Sequence, residues 1–261
     1  MKVEYDGAAH RMVSWISQNL FGNVTYTVRH GPIKGMKRRG GLGWLPGFLS
    51  SETSPEQMFW LNCDLSSLVV YDVGAFHGLF TLLFAQKARQ VISYEPSAEN
   101  YARLAGNVVL NRLHNVTVRN VALGAKRETV TMFSSPLLPG AAHIGAEAAG
   151  SLKMRSERVS LTTLDEDIRE MNFPPPGFIK IDVEGAELAV LSGARNTLLA
   201  SRPQLFLEIH GATLESKQEN VAAVVGCLHE LGYRKLRHIE SGAEIGIENS
   251  AVAAQGHLHC A

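Results

Sequence analysis

The sequence predicts a doubly wound α/β fold on a mostly parallel sheet, from three observations. Between about Leu68 and Arg237, short β-branched runs alternate with segments of helical periodicity. The runs at 67–72 (SLVVYD) and 178–182 (FIKID) are nearly all apolar and end in a carboxylate, as strands covered on both faces do. The segment DVGAFHG at 72–78 follows the first run at once, with glycines where a strand must turn directly into a helix.

Each element follows from its own pattern. Residues 67–72 are the first strand, and 79–89 a helix with an apolar stripe of Leu79, Leu82, Leu83 and Ala85. Residues 91–95 (VISYE) are the second strand. Ser97 is placed to cap a helix reaching 111, with Tyr101, Leu104, Ala105 and Val108 facing inward. Residues 115–121 are the third strand, 129–133 a hairpin arm after a turn at Gly124, and the small-residue stretch 134–151 a long loop or lid. A short helix at 160–171 and a fourth strand at 178–182 come next. A helix at 185–200, a fifth strand at 204–209 and a helix at 217–231 follow, and 233–237 and 252–259 are closing strands. Residues before about 61 do not alternate. Trp44, Phe48, Phe59, Trp60 and the Gly40-Gly41 pair predict a short N-terminal extension (1–60) packed on a main domain (61–261).

Composition narrows the function. The 261 residues are 45% hydrophobic, enough for a sizeable core. Twenty-five basic residues balance 25 acidic ones, which argues against a nucleic-acid partner bound through its phosphates. No apolar run reaches the roughly 18–20 residues that span a bilayer. The N-terminal MKVEYDGAAHRMVSW carries charges where a signal peptide would be apolar. Cys63, Cys227 and Cys260 are odd in number and widely spaced, so neither a disulfide framework nor a zinc site is expected. The expectation is a soluble, reduced, cytoplasmic protein without a transmembrane segment.

Three segments belong at the carboxyl ends of the strands, where ligands bind in such sheets. In the first, Gly74 permits a tight turn and Gly78 a close approach at a helix start that offers unpaired N–H groups. A dinucleotide fingerprint would place a glycine where Asp72 stands, and a carboxylate there suits a ligand with a cationic end; a merely tight turn is the plainer alternative. In the second, Glu95 stands 23 positions after Asp72, near the spacing of an acid that binds ribose hydroxyls. Together they point to a nucleoside bearing a cationic amino acid, S-adenosylmethionine.

The third segment, IKIDVEGAE at 179–187, brings Asp182 and Glu184 off the sheet, beside LEIH at 207–210. Asp182, Glu184, Glu208 and His210 would share one rim, as a general base or as a divalent metal site. Glu187 reads as a first-turn acid complementing the helix dipole. His77 reads as a turn-shaping residue. The basic stretch Lys34, Lys37, Arg38 and Arg39 reads as a solvated loop, or as a surface for an acidic substrate or partner.

These residues, in this order and spacing, resemble the FkbM family of methyltransferases: YDVGAFHGLFTLLFA, SYEPSAENYARLAGNVVLN, NVTVRNVALG, LTTLDE, FIKIDVEGAELAVLSGA and LFLEIHG. The resemblance runs from about Val69 to Gly211, and IKIDVEGAE is its most specific part. It implies a Rossmann-like, class I methyltransferase fold and S-adenosylmethionine as donor. Acceptors in such a family are hydroxyls of small molecules: sugars, glycolipids or polyketides. By resemblance, Asp72, Gly74, Ala75 and Gly78 line the donor's methionine end, Glu95 takes the ribose, and Asn120, Val121 and Ala122 take the adenine. Asp182, Glu184 and His210 face the acceptor. Phe76-His77 depart from the small polar pair, often Asn-Ile, found there in many members.

The expected chemistry is O-methylation, with His210 as general base because its ordinary pKa suits neutral pH. The alternative is Mg²⁺ held by Asp182, Glu184 and Glu208. A homo-oligomer is compatible with the sequence. An NAD-dependent oxidoreductase and a non-catalytic protein retaining the fold are the competing classes.

Overall fold

The computed structural model describes residues 24–39, 54–135, 138–144, 155–211 and 213–261. Trp44, Phe48 and the Gly40-Gly41 pair lie outside them. At the centre stands β3 (Val69–Val73), with all five residues buried, because helices cover both faces of the sheet. β3 follows the hairpin strands β1 (Thr25–Thr27) and β2 (Lys37–Arg39) and the helix α1 (Pro55–Asn62). After it come α2 (Leu79–Lys87), β4 (Gln90–Tyr94), α3 (Ala98–Leu110) and β5 (Val116–Arg119). Then follow β6 (Ala122–Leu123), β7 (Glu128–Ser135), β8 (Leu138–Ile144), β9 (Arg155–Thr162) and α4 (Leu164–Met171). The remainder is β10 (Phe178–Ile181), α5 (Glu187–Gly193), α6 (Arg195–Ser201), β11 (Gln204–Glu208), α7 (Leu214–Glu230), β12 (Leu236–His238) and β13 (His257–Cys260).

The main sheet has seven strands in the order β12-β13-β11-β10-β3-β4-β5. β11, β10, β3, β4 and β5 pair in parallel, and β13 runs antiparallel between β11 and β12. The expected doubly wound, mostly parallel sheet is therefore present. One apolar layer joins β3, β10 and β11 to α5, α6 and α7. The other packs Val70, Leu82, Phe84, Phe178 and Phe206 around Trp60, which is 2% exposed. The expected boundary after residue 60 thus falls inside α1, whose Trp60 belongs to the core. The β1–β2 hairpin docks on α3: Asn107 and Asn111 accept the N–H groups of Arg39 and Lys37 at 2.8 Å each. Lys34, Lys37 and Arg39 are exposed, while Arg38 is half-buried, its Nε enclosed without a hydrogen bond.

The structure corrects four expectations. The stretch 134–151 is not all loop: β8 pairs antiparallel with β7 across a bulge, and β6-β9-β7-β8 form a second sheet. Its small residues have little strand propensity of their own, and the pairing comes from β7. Residues 160–162 are strand, not helix, because Val159 and Leu161 alternate inward against Ala122 and Met132. The helix begins only after Thr163, whose hydroxyl accepts the Glu166 N–H. The predicted helix 185–200 is two, α5 and α6. Gly193 packs where any Cβ would overlap the Gly124 carbonyl, and Asp165 caps the new start by accepting from the Asn196 and Thr197 amides at 2.9 and 2.8 Å. Of the expected closing strand at 252–259, residues 252–254 instead belong to a 3₁₀ turn and the strand begins only at His257. Ser97 is the N-cap of α3 as expected, though without a side-chain cap hydrogen bond. Among the described residues, Cys63, Cys227 and Cys260 are free, and no helix is long and apolar enough to cross a membrane.

Candidate active site

Strand order reverses between β3 and β10, and their carboxyl ends open a cleft there. Gly74, at φ 81°, leaves β3 so close to β10 that a Cβ would overlap the carbonyl oxygen of Asp182. The N–H groups of Gly74 and Ala75 both donate to the Tyr94 carbonyl, at 3.1 and 2.9 Å. Gly78 begins α2 at φ 88°. Ala75 and Gly78 therefore shape the turn rather than line the cleft. His77 is neutral: burial, with Arg103 and Arg38 nearby, lowers its pKa to about 3, and its ring stacks on Phe76 at 3.7 Å between centroids.

The cleft, of about 240 Å³, is lined by Gly74, Phe76, Glu95 and Asn100 on one side and by Asp182 and Glu184 on another; Val121, Ala122 and Met132 also contribute to its wall. Glu95 is positioned by three donors. The Phe76 N–H reaches Oε2 at 2.8 Å, and the Ser97 N–H and Asn100 amide reach Oε1 at 3.0 and 3.3 Å. Burial still pushes the Glu95 carboxyl up to about 7. Asn120 lies outside the cleft wall: its amide donates to the carbonyls of Glu95 and Pro96, at 2.9 Å each, and fixes the backbone. A larger cleft of about 550 Å³, between α7 and the C-terminal segment, contains none of these residues.

Asp72 is placed otherwise than expected. It is fully buried below the cleft, with Oδ2 accepting from the Thr81 hydroxyl at 2.6 Å and Oδ1 lying 3.9 Å from the Lys180 ammonium. It cannot touch a ligand's cationic end, since its neighbours in the sheet cover it. Lys180, equally buried, donates to Asp182 Oδ2 at 3.0 Å. Burial pushes this ammonium down, but Asp182 and Asp72 outweigh burial and hold its pKa above the ordinary value.

The rim expected at the ends of β10 and β11 is assembled. His210 Nε2 lies 3.7 Å from Asp182 Oδ1, 3.7 Å from Glu184 Oε1 and 3.6 Å from Glu208 Oε1. Its Nδ1 is 2.9 Å from Glu187 Oε1, and Glu187 also accepts the Gly185 N–H. Glu187 stands in the first turn of α5, as expected, and at 1% exposure it also orients the imidazole. Burial opposes a charged His210, yet Glu187, Glu208, Glu184 and Asp182 outweigh it and raise the ring to about 10. The ring therefore carries a proton at neutral pH, which overturns the reason for expecting it to act as base. Burial also raises Glu184 to about 7 despite His210.

Three further residues at this rim carry no local sequence signal. His257 of β13 lies 3.5 Å from Glu208, 2.6 Å from Glu240 and 3.7 Å from Glu56. The antiparallel register sets His257 opposite Glu208, and Glu240 after β12 and Glu56 of α1 meet it there.

The sheet order, the antiparallel strand beside β11 and the cleft over the glycine turn define a class I methyltransferase fold. The crystal structure of the FkbM methyltransferase from Methylobacillus flagellatus KT has the same fold, with a TM-score of 0.50 at 19% identity over 77% of this chain and 45% of that one. The chain belongs to the FkbM methyltransferase family, whose methyltransferase domain model matches residues 72–235. It is similar to the hexuronic acid methyltransferase AglP of Haloferax volcanii, 28% identical over 144 residues, which are 54% of this chain and 56% of AglP. It is also similar to the methyltransferase sdnD of Sordaria araneosa, 29% identical over 174 residues, 53% of this chain and 66% of sdnD. The chain thus covers less than two thirds of either relative. Family membership sets aside the oxidoreductase class.

Proposed function

We propose that the protein methylates a hydroxyl oxygen of a small molecule with S-adenosylmethionine as donor, the acceptor being a sugar, glycolipid or polyketide. The observation that carries this reading is Glu95, an acid held by three N–H donors at the end of β4 with its carboxylate on the cleft. The cleft's residues fit the donor. Gly74 lets β3 and β10 meet closely at the cleft wall, Glu95 offers its remaining lone pair to ribose hydroxyls, and Val121, Ala122 and Met132 offer an apolar wall to adenine. When bound, the donor supplies an already activated methyl group. The protein's part is to position the hydroxyl and remove its proton.

Asp182 and Glu184 line the cleft and His210 does not, so the carboxylates are the groups placed to take that proton. His210, locked by Glu187, holds them in place. AglP's name as a hexuronic acid methyltransferase supports a sugar acceptor. Asp182→Asn and Glu184→Gln are expected to cut turnover by about 10²–10⁴-fold for the residue that acts as base. S-adenosylhomocysteine affinity should stay near wild type. Turnover with labelled donor over a panel of sugar and macrolide hydroxyls checks this, and undiminished turnover in both variants would exclude the assignment.

Donor binding should depend on pH through Glu95. Ribose hydroxyls donate to its charged form, whereas the free carboxyl, at about 7, is protonated below neutrality. S-adenosylhomocysteine affinity should therefore fall as pH drops, by up to about thirty-fold between pH 8 and pH 5.5. Both Glu95 oxygens accept N–H groups, so neither orientation of an amide satisfies them. Glu95→Gln should weaken binding more than about tenfold and flatten the pH dependence, as measured by calorimetric titration.

A metal-assisted version is favoured by one observation: ligand atoms of Asp182, Glu208 and His210 lie within 4.8 Å of one another. His210, on giving up its Nε2 proton, would take the place expected of Glu184, and a set with one imidazole suits Mn²⁺ or another transition ion better than Mg²⁺. A cation there would polarise the acceptor oxygen. Turnover that survives exhaustive EDTA treatment would exclude this version.

A further inference from the structure

The family match ends at residue 235, yet the rim does not. From β13 to α5 five side chains alternate acid and imidazole: Glu240, His257, Glu208, His210 and Glu187. Register sets His257 directly across from Glu208. The His257 ring is oriented from two sides, stacked on Phe206 at 5.0 Å and 28°, and with Nδ1 2.6 Å from Glu240 Oε1. Glu240 also accepts the His257 backbone N–H at 2.8 Å. That approach needs Gly256, at φ 104°, because a Cβ would overlap the Glu240 carboxylate. What remains free is Nε2, which faces Glu208 Oε2 at 3.5 Å and, less closely, Glu56.

We propose that His257 is a positioning residue: through Nε2 it holds the Glu208 carboxylate where its other oxygen faces His210. The geometry assigns it no contact with donor or acceptor. Glu208 is half-exposed, and without a second partner its side chain would leave the rim for water, because a lone surface ion pair contributes little. The proposal rests on the methyltransferase reading only for the use to which the rim is put.

Two substitutions separate this role from packing. An amide nitrogen reaches roughly the Nε2 position in His257→Gln but only the Nδ1 position in His257→Asn. Both retain the backbone hydrogen bonds of β13. The readout is the pair of His210 ring signals in long-range ¹H–¹⁵N spectra of ¹⁵N-histidine-labelled protein, assigned by their loss in His210→Gln. His257→Gln should leave them at their wild-type positions and His257→Asn should shift them, with S-adenosylhomocysteine affinity within twofold of wild type in both. Signals unmoved in both, shifted alike in both, or fold lost in both would overturn the proposal, the last two by making His257 structural. Failure of the wild-type protein to bind S-adenosylhomocysteine would count against the donor assignment alone, since the ring signals are read without ligand.

Discussion

Lys180→Met is expected to lower the unfolding free energy by about 3–5 kcal/mol at pH 7, the usual penalty for leaving a buried charge without its partner. Lys180 and Asp72 are both fully enclosed, 3.9 Å apart, and Asp182 is the only partly solvated member of the trio. Burial already raises the Asp72 pKa, with Lys180 opposing, so removal of the ammonium raises it further. As pH falls, the folded variant then takes up a proton on Asp72 before the unfolded chain, with its ordinary carboxyl near 3.9, does. Its stability must rise as pH falls from 7 toward 4, and the gap to wild type must narrow. Adding Asp72→Asn should recover part of the loss, because no charge is then stranded. Denaturant unfolding at pH 7 and pH 5 measures both effects. A single-variant loss below about 1 kcal/mol would show that Lys180 does not neutralise the buried acid.

Gly74→Ala is the second large effect. The residue would sit at positive φ, costing about 1–3 kcal/mol, and its methyl group would force the exit of β10 away, costing a similar amount. The displaced group is Asp182, so the cleft changes shape with the backbone. A loss of about 2–6 kcal/mol in stability is expected. Where the variant remains folded, S-adenosylhomocysteine affinity should drop more than tenfold. Gly106→Ala is the control: this glycine lies in α3 with open space around it, and alanine there should stabilise by about 0.5–1 kcal/mol. Equal behaviour of the two variants would refute the close approach of β3 and β10.

The charge on the rim bears on which acceptors fit. Asp182, Glu184, Glu187 and Glu208 surround one imidazolium, and the acids outnumber the cations even when His257 and Lys180 are included. A neutral hydroxyl, or one presented with a divalent cation, suits such a rim better than a bare anion. The basic residues of the β1–β2 hairpin stand on the other flank of the turn, against α3.

How much was legible beforehand depended on the range of the interactions. Apolar runs ending in carboxylates located β3 and β10, and the apolar run at 204–209 located β11, since a strand buried on both faces needs a continuous apolar run whatever lies beside it. The glycine turn, Glu95, and the sharing of one rim by Asp182, Glu184, Glu208 and His210 were likewise readable, because strand ends in a parallel sheet meet along one edge. Side-chain direction was not readable. Asp72 turns beneath the sheet because Thr81 and Lys180 wait there, and Glu187 turns inward because His210 offers its Nδ1. The charge state of His210 depends on four acids from two segments, so an ordinary pKa misled. The strand at 138–144 and the place of His257 depend on antiparallel partners distant in sequence. The sequence by itself determined the fold class, the family and the edge where chemistry belongs, because these follow from periodicity and from motifs contiguous in the chain. Only the tertiary structure decided which carboxylates face the cleft and which hold their neighbours, because burial and register set those roles and neither is local.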